Sequence, residues 1–326
     1  MPEDFDYLFA KSQLSKSTID LGIGENHILR ELVIEAYKLK TISFENFPNI
    51  FEYAPPQGYG PLVEKLESIY KAKVVVFSGA KSALSGAFYA MKATGKNKIH
   101  FRKPYWPSIP SLITRENLGY SFIEDECDCS LIVSPNNPDG YMNLNSSISG
   151  PIIHDAAYYT HSYLPKNIEL KPFGDIQIFS VAKMYGISGA RLGFAVCHNE
   201  EYYSYLMKFV EATTAGVSTP SQRILMHILD QEINNPEIRI KYENYVYDMI
   251  SINRNYLYDN LSLNKNNIIN YGMFAWVPSK IQNFNNVNVN IMGGIPFGVD
   301  NFIRINLAVR FEKIVKAVEN MNIIIK

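Results

Sequence analysis

Apolar residues in the middle of the chain follow two alternating patterns. Short runs of β-branched and aromatic residues bounded by Gly, Pro or Asn are separated by stretches with apolar positions three and four apart. Val74–Phe77, Lys98–Arg102, Leu131–Ser134, Pro151–Asp155, Asp175–Val181 and Leu192–Cys197 read as buried strands. Leu62, Leu66 and Ile69 fall on one face of a helix over Pro61–Lys71. A second helix, Ser82–Ala93, follows Val74–Phe77 through the small-residue turn Ser78-Gly79-Ala80. Strands alternating with helices predict an α/β fold with a mostly parallel sheet. From Glu200 the pattern turns to long helices, of which Pro236–Leu261 is the longest. The last third shows strand-like Ile268–Val277, a loop at Met292–Pro296, strand-like Phe302–Leu307 and a closing helix from Phe311. The Asn-rich stretch Asn283–Asn290 reads as a loop. These shifts predict a large domain over residues 41–230 and a smaller α/β domain from 1–40 and 231–326.

With 326 residues, 47% hydrophobic and 19% charged, the chain can bury a large core. Its 31 basic and 32 acidic residues leave a net charge of −1, which favours neither nucleic acid nor an anionic membrane. Apolar runs fall short of the ~18 residues that a span needs. Met1–Ser17 lacks a basic start followed by an apolar run, so the expectation is a chain without a leader, in the cytoplasm. The three cysteines do not make an even disulfide framework and fit a reducing compartment. Cys127-x-Cys129 offers a metal or redox pair, or a surface turn. The acidic surroundings Glu124–Asp128 and the lack of a nearby third ligand favour the turn, with no metal.

The sharpest chemical signal is the run from Ser180 to Gly193, in which Lys183 lies just past an apolar strand among small residues. Lysine is seldom placed where its charge is desolvated. Burial lowers its pKa, and a neutral amine is the form that makes an imine with an aldehyde. Arg191 lies eight residues on, beyond Gly186 and Gly189, where it can return a guanidinium to a phosphate near that lysine. The bland alternative is a solvated Lys and Arg flanking a Gly-rich loop. Asp155 closes an apolar strand, where a carboxylate is costly unless paired, or it caps a helix. Arg304 stands alone inside the apolar strand Phe302–Leu307 and needs an anion, from a substrate or a structural partner. Ser78-Gly79-Ala80 opens a helix whose free N–H groups suit a phosphate. His154 reads as packing.

The run Ser180-x-x-Lys183-x-x-Gly186-x-x-Gly189-x-Arg191-x-Gly193 resembles the signature of the class I/II aminotransferases, enzymes of the aspartate-aminotransferase fold that use pyridoxal 5′-phosphate. Other motifs fall in that family's order along nearly the whole chain. They are Tyr53 to Gly58, Ser78-Gly79-Ala80, Pro104-Tyr105-Trp106-Pro107, Ser134 to Gly140, His154 to Tyr159, and Phe302 to Leu307. Ser134 to Gly140, Asp155 to Tyr159 and Gly216 to Gln222 are most similar to the tryptophan-aminotransferase/alliinase branch.

The resemblance implies that Lys183 carries the cofactor as an imine and later acts as general base. Asp155 would keep the pyridine nitrogen protonated, with Asn137 and Tyr158 on the phenolic oxygen. Trp106, with Tyr105 second, would stack on the ring. Ser78, Gly79, Ala80, Ser180 and Arg191 would hold the phosphate, joined by Tyr53 from a partner subunit of a homodimer with shared sites. Arg304 would hold the substrate α-carboxylate, with Gly24 in the closing turn Ile23-Gly24-Glu25 and Asn137 beside it. The implied reaction moves the amino group of an L-amino acid, aromatic favoured, to a 2-oxo acid. C–S lyases and amino-acid decarboxylases share the fold, so these motifs leave both open.

Overall fold

The computed structural model of the chain describes residues 14–15, 17–43, 50–143, 150–261 and 271–325. Most of Met1–Ser17 and the first residues of the strand-like stretch Ile268–Val277 lie outside the described residues.

The chain enters through a short strand, β1 (Ile19–Asp20), and the helix α1 (His27–Ala36). Asn26 caps α1, accepting from the Leu29 amide at 2.8 Å. There follow α2 (Gly60–Tyr70), β2 (Lys73–Phe77), α3 (Ala80–Ala93), β3 (Lys98–His100), α4 (Ile109–Arg115), β4 (Gly119–Ser121), β5 (Cys129–Val133), β6 (Ile152–Asp155) and β7 (Ile176–Ser180). After the four-residue helix α5 (Val181–Met184) come β8 (Gly193–Cys197), α6 (Glu200–Thr214), α7 (Thr219–Asn234) and α8 (Glu237–Asn260). The chain ends with β9 (Phe274–Pro278), β10 (Val289–Asn290), β11 (Met292–Gly293), β12 (Phe302–Asn306) and α9 (Phe311–Ile325).

Seven strands form one sheet in the order β2-β8-β7-β6-β5-β3-β4. The sheet is parallel except for β8, which runs against both β2 and β7. β7 and β8 are buried at every position, as expected for strands covered on both faces. Because the parallel strands point one way, their carboxyl ends share an edge, where open α/β sheets place ligands. The remaining strands make two small sheets, β1-β10 and β11-β12-β9, drawn from both ends of the chain. α8 packs against α1 and α9 beside them.

Three expectations need correction. Cys129 is not in a surface turn: it is fully buried at the start of β5, and the turn is the 3-10 segment Glu124–Glu126 before it. Asn283–Asn290 is not all loop, since β10 pairs in parallel with β1. Met292–Gly293 is a strand, because its backbone completes the edge of β12. β4 was not foreseen. Gly119, Tyr120 and Ser121 carry little apolar signal, but pairing with β3 satisfies their backbone.

Candidate active site

The carboxyl edge of the large sheet gathers the residues that the sequence singles out. β5 leads into Asn137, β6 ends on Asp155 with Tyr158 just beyond, β7 leads to Lys183, and β2 leads to Ser78-Gly79-Ala80. Register holds the first two together, since Val133 pairs with Asp155 and Ser134 N donates to Asp155 O at 3.2 Å.

Lys183 is half-buried on α5, and its ammonium nitrogen donates to the Gly24 carbonyl. It lies 5.5 Å from the centre of the Tyr158 ring. Burial lowers its pKa to about 8, Arg304 pushes the same way, and Glu25 and Asp155 pull back. At pH 7 about a tenth of such amines are neutral. Asp155 is 6% exposed, and burial raises its carboxyl to about 6, against a bond from Ala157 N at 3.0 Å and the charge of Lys183. At pH 7 about nine tenths of such carboxyls are still ionised, so Asp155 can offer a buried carboxylate to a protonated partner.

Arg304 lies on β12 and is 2% exposed. Its Nη1 donates to Asn137 Oδ1 at 2.9 Å and its Nη2 to Gly22 O at 2.6 Å, with Met292 Sδ at 2.9 Å. The guanidinium carbon is 4.2 Å from the Phe274 ring centre and 5.0 Å from that of Phe297. Asn137 Nδ2 in turn donates to the Tyr158 hydroxyl at 3.3 Å.

Gly79 caps α3 with φ +103°, a conformation that L side chains rarely adopt. A Cβ there would lie 3.1 Å from Arg191 Nη2, so the guanidinium comes close to the first turn of α3. Exposed Arg191 also donates to Ser188 O at 3.0 Å. Ser180 is buried and pairs with Gly193 across β7 and β8. Trp106 is half-buried, with Lys81 Nζ 5.9 Å from its ring centre, which places it by the opening of α3. The neighbouring Tyr105 N donates to Phe297 O at 3.1 Å.

Tyr53 stands apart from this cluster, with 90% of its surface exposed. Its segment rests on the start of α7, where Thr219 Oγ1 donates to Glu52 O at 3.2 Å.

These residues fit pyridoxal phosphate. A lysine of lowered pKa can bond an aldehyde, a buried acid can share a proton with a ring nitrogen, and a helix opening beside a guanidinium can seat a phosphate. Sequence reasoning missed Tyr163, Phe274 and Met292. Phe297 falls in Gly293-Gly294-Ile295-Pro296-Phe297-Gly298, which resembles the family's glycine–phenylalanine–glycine approach to the Arg304 strand, whereas Phe274 and Tyr163 carry no motif of their own.

A fold and edge cluster of this kind define a chain built as the pyridoxal-phosphate-dependent aminotransferases are. Aspartate aminotransferase from Thermus thermophilus with maleate superimposes with a TM-score of 0.75 at 17% identity, covering 96% of this chain and 93% of that one. The Thermotoga maritima aspartate aminotransferase gives 0.73 at 19%, covering 97% and 93%. The allinase family model matches residues 74–266, more than half of the chain, and the chain belongs to that family. Tryptophan aminotransferase-related protein 2 of Arabidopsis thaliana is 29% identical over 169 residues, 48% of this chain and 38% of that protein. Alliin lyase of Allium cepa var. aggregatum is 27% identical over 164 residues, 47% of this chain and 36% of its own length. The chain thus matches about two fifths of the length of these relatives.

Proposed function

We propose that this chain is a pyridoxal-phosphate enzyme that moves the amino group of an L-amino acid, preferably an aromatic one, to a 2-oxo acid. The observation that carries this reading is the placing of Lys183, lowered to about 8, close enough to the buried guanidinium of Arg304 to feel its charge. The cofactor, when bound, supplies an electron-withdrawing ring that makes the Cα proton of the amino acid removable.

The chain's own groups then divide the work. Arg304 binds the α-carboxylate with its planar fork, while Asn137 Oδ1 holds Nη1 in orientation. Phe274 and Phe297 flank the guanidinium, exclude water and strengthen its hold on an anion. Lys183, once its amine is free and neutral, takes the Cα proton and returns it. Asp155 keeps a proton at the ring nitrogen, and the Tyr158 hydroxyl with the Asn137 amide supplies donors for the ring oxygen. Ser78, Gly79, Ala80, Ser180, Arg191 and Trp106 hold phosphate and ring in this reading. The aromatic walls at Phe274, Phe297 and Trp276, with Trp276 and Phe297 ring centres 5.3 Å apart, support an aromatic side chain. A homodimer and a cytoplasmic setting belong to the same proposal, and the exposure of Tyr53 supports its use by a second copy.

The second reading is a C–S lyase, favoured by the match to an alliin lyase. The two separate on whether turnover needs an acceptor. Purified protein with cofactor and one amino acid at a time is assayed with and without a 2-oxo acid. Transfer predicts turnover only with the acceptor, whose amino acid forms in equal amount. Acceptor-independent release of pyruvate with a sulfur product rejects transfer in favour of elimination, and released CO₂ rejects it in favour of decarboxylation.

A further inference from the structure

The main chain at Lys183 is held from outside its own helix. The Tyr163 hydroxyl donates to Lys183 O at 2.8 Å and accepts from Asn26 Nδ2 at 3.1 Å, across 137 residues of sequence. The directions follow from donor inventory. Asn26 Oδ1 accepts from Leu29 N as the cap of α1, so its amide nitrogen must face Tyr163. A phenol has one proton to give, which therefore goes to Lys183 O. Both side chains are essentially out of solvent. α5 is only four residues long, and carbonyls at a helix end lack intrahelical partners, so an outside donor matters here.

The turn before Asn26 also braces Arg304. Gly22 O accepts from Arg304 Nη2, and Asn306 Nδ2 reaches Ile23 O at 2.7 Å and Glu25 O at 2.8 Å. Gly186 lets the loop after Lys183 lie against α1: a Cβ there would be 2.5 Å from Arg30 N. One segment therefore touches both the amine-bearing helix and the substrate arginine.

We propose that Tyr163 is a positioning residue, which with Asn26 fixes the Lys183 main chain relative to the turn bracing Arg304, so that amine and guanidinium face one substrate at a set separation. The inference rests on Lys183 being the cofactor lysine.

The test uses holoenzyme carrying Tyr163→Phe, which keeps the ring packed edge-on against Tyr158 at 5.7 Å, and Asn26→Ser, which can still cap α1 but is too short to reach Tyr163. Tyr159→Phe, which also loses a buried tyrosine hydroxyl, is the control. Tyr163→Phe should lower kcat about tenfold while KM stays within about twofold. It should also move the pH midpoint of the cofactor's visible absorbance, and Tyr159→Phe should do neither. Asn26→Ser should shift the same midpoint in the same direction. The double variant should be no worse than Tyr163→Phe, because the two bonds form one chain. An unchanged midpoint in both single variants overturns the assignment, including the case where the melting temperature falls, since the role is then structural only. Additive effects in the double variant also overturn it. Wild-type protein that develops no cofactor absorbance overturns the cofactor reading and this inference together, whereas normal wild-type absorbance with silent variants overturns this inference alone.

Discussion

Arg304 and Asn137, 167 residues apart, meet at 2.9 Å through Nη1 and Oδ1. The same Asn137 amide donates to the Tyr158 hydroxyl at 3.3 Å. Its oxygen can only accept and its nitrogen only donate, so one side chain orients both the Arg304 guanidinium and the tyrosine. β12 lies in a small sheet and Asn137 follows a strand of the large one, so this contact joins the two sheet systems at the site.

Asn137→Ala therefore should affect binding and chemistry together. Without Oδ1 the guanidinium can turn toward other acceptors, and KM for the amino donor should rise about tenfold or more, with a smaller fall in kcat. Steady-state kinetics on the variant check this. A KM within about twofold of wild type would mean that Arg304 does not meet the carboxylate.

Gly79→Ala should act on cofactor affinity. The residue has φ +103°, and an added methyl would press on Arg191 Nη2 at 3.1 Å. Strain at the helix opening and displacement of the guanidinium both weaken a phosphate seat. The expected result is at least a roughly tenfold higher Kd for pyridoxal phosphate, measured by absorbance titration.

Lys183 should leave a signature in the stability of the apoprotein. Its folded pKa of about 8 lies below its ordinary 10.5, so between those values the unfolded chain binds more protons. Stability attributable to this group is reduced below pH 8 and recovers as pH rises toward 10.5. Lys183→Met should raise the apoprotein Tm at pH 7, and the gain should shrink over pH 8 to 10.5. Thermal melts across that window test it, and a gain independent of pH contradicts the burial argument.

Much of this cluster is legible in the sequence because its residues sit at strand ends, where local pattern and chemistry coincide. Lys183, Asp155 and Arg304 each break an apolar run, and a charge in such a place announces a partner. The braces were not readable. Tyr163 depends on Asn26, and the aromatic walls at Phe274 and Phe297 take their meaning from packing against Arg304. Neither Tyr163 nor Phe274 has a local pattern that separates it from ordinary core. The short strands β1, β10 and β11 escaped for a related reason: two residues carry no period, and only pairing defines them.

His154 illustrates a conspicuous residue that packs rather than reacts. It is fully buried next to Asp155, stacked on Phe173 with ring centres 4.1 Å apart, and burial lowers its pKa to about 4. His154→Leu should leave kcat within about twofold of wild type while costing about 1 kcal/mol of stability. Neutral burial also loses stability as pH falls from 6.5 to 4, because the unfolded chain then binds the extra proton. That part of the acid-induced loss should vanish in the variant, as followed by urea unfolding at a series of pH values.

The central claim is a covalent attachment point, and borohydride reduction of protein mixed with pyridoxal phosphate, followed by peptide mass spectrometry, tests it most directly. The account predicts a single reduced adduct on the Lys183 side chain, lost in Lys183→Met. A protein without any adduct, or with the adduct on a different lysine, contradicts it.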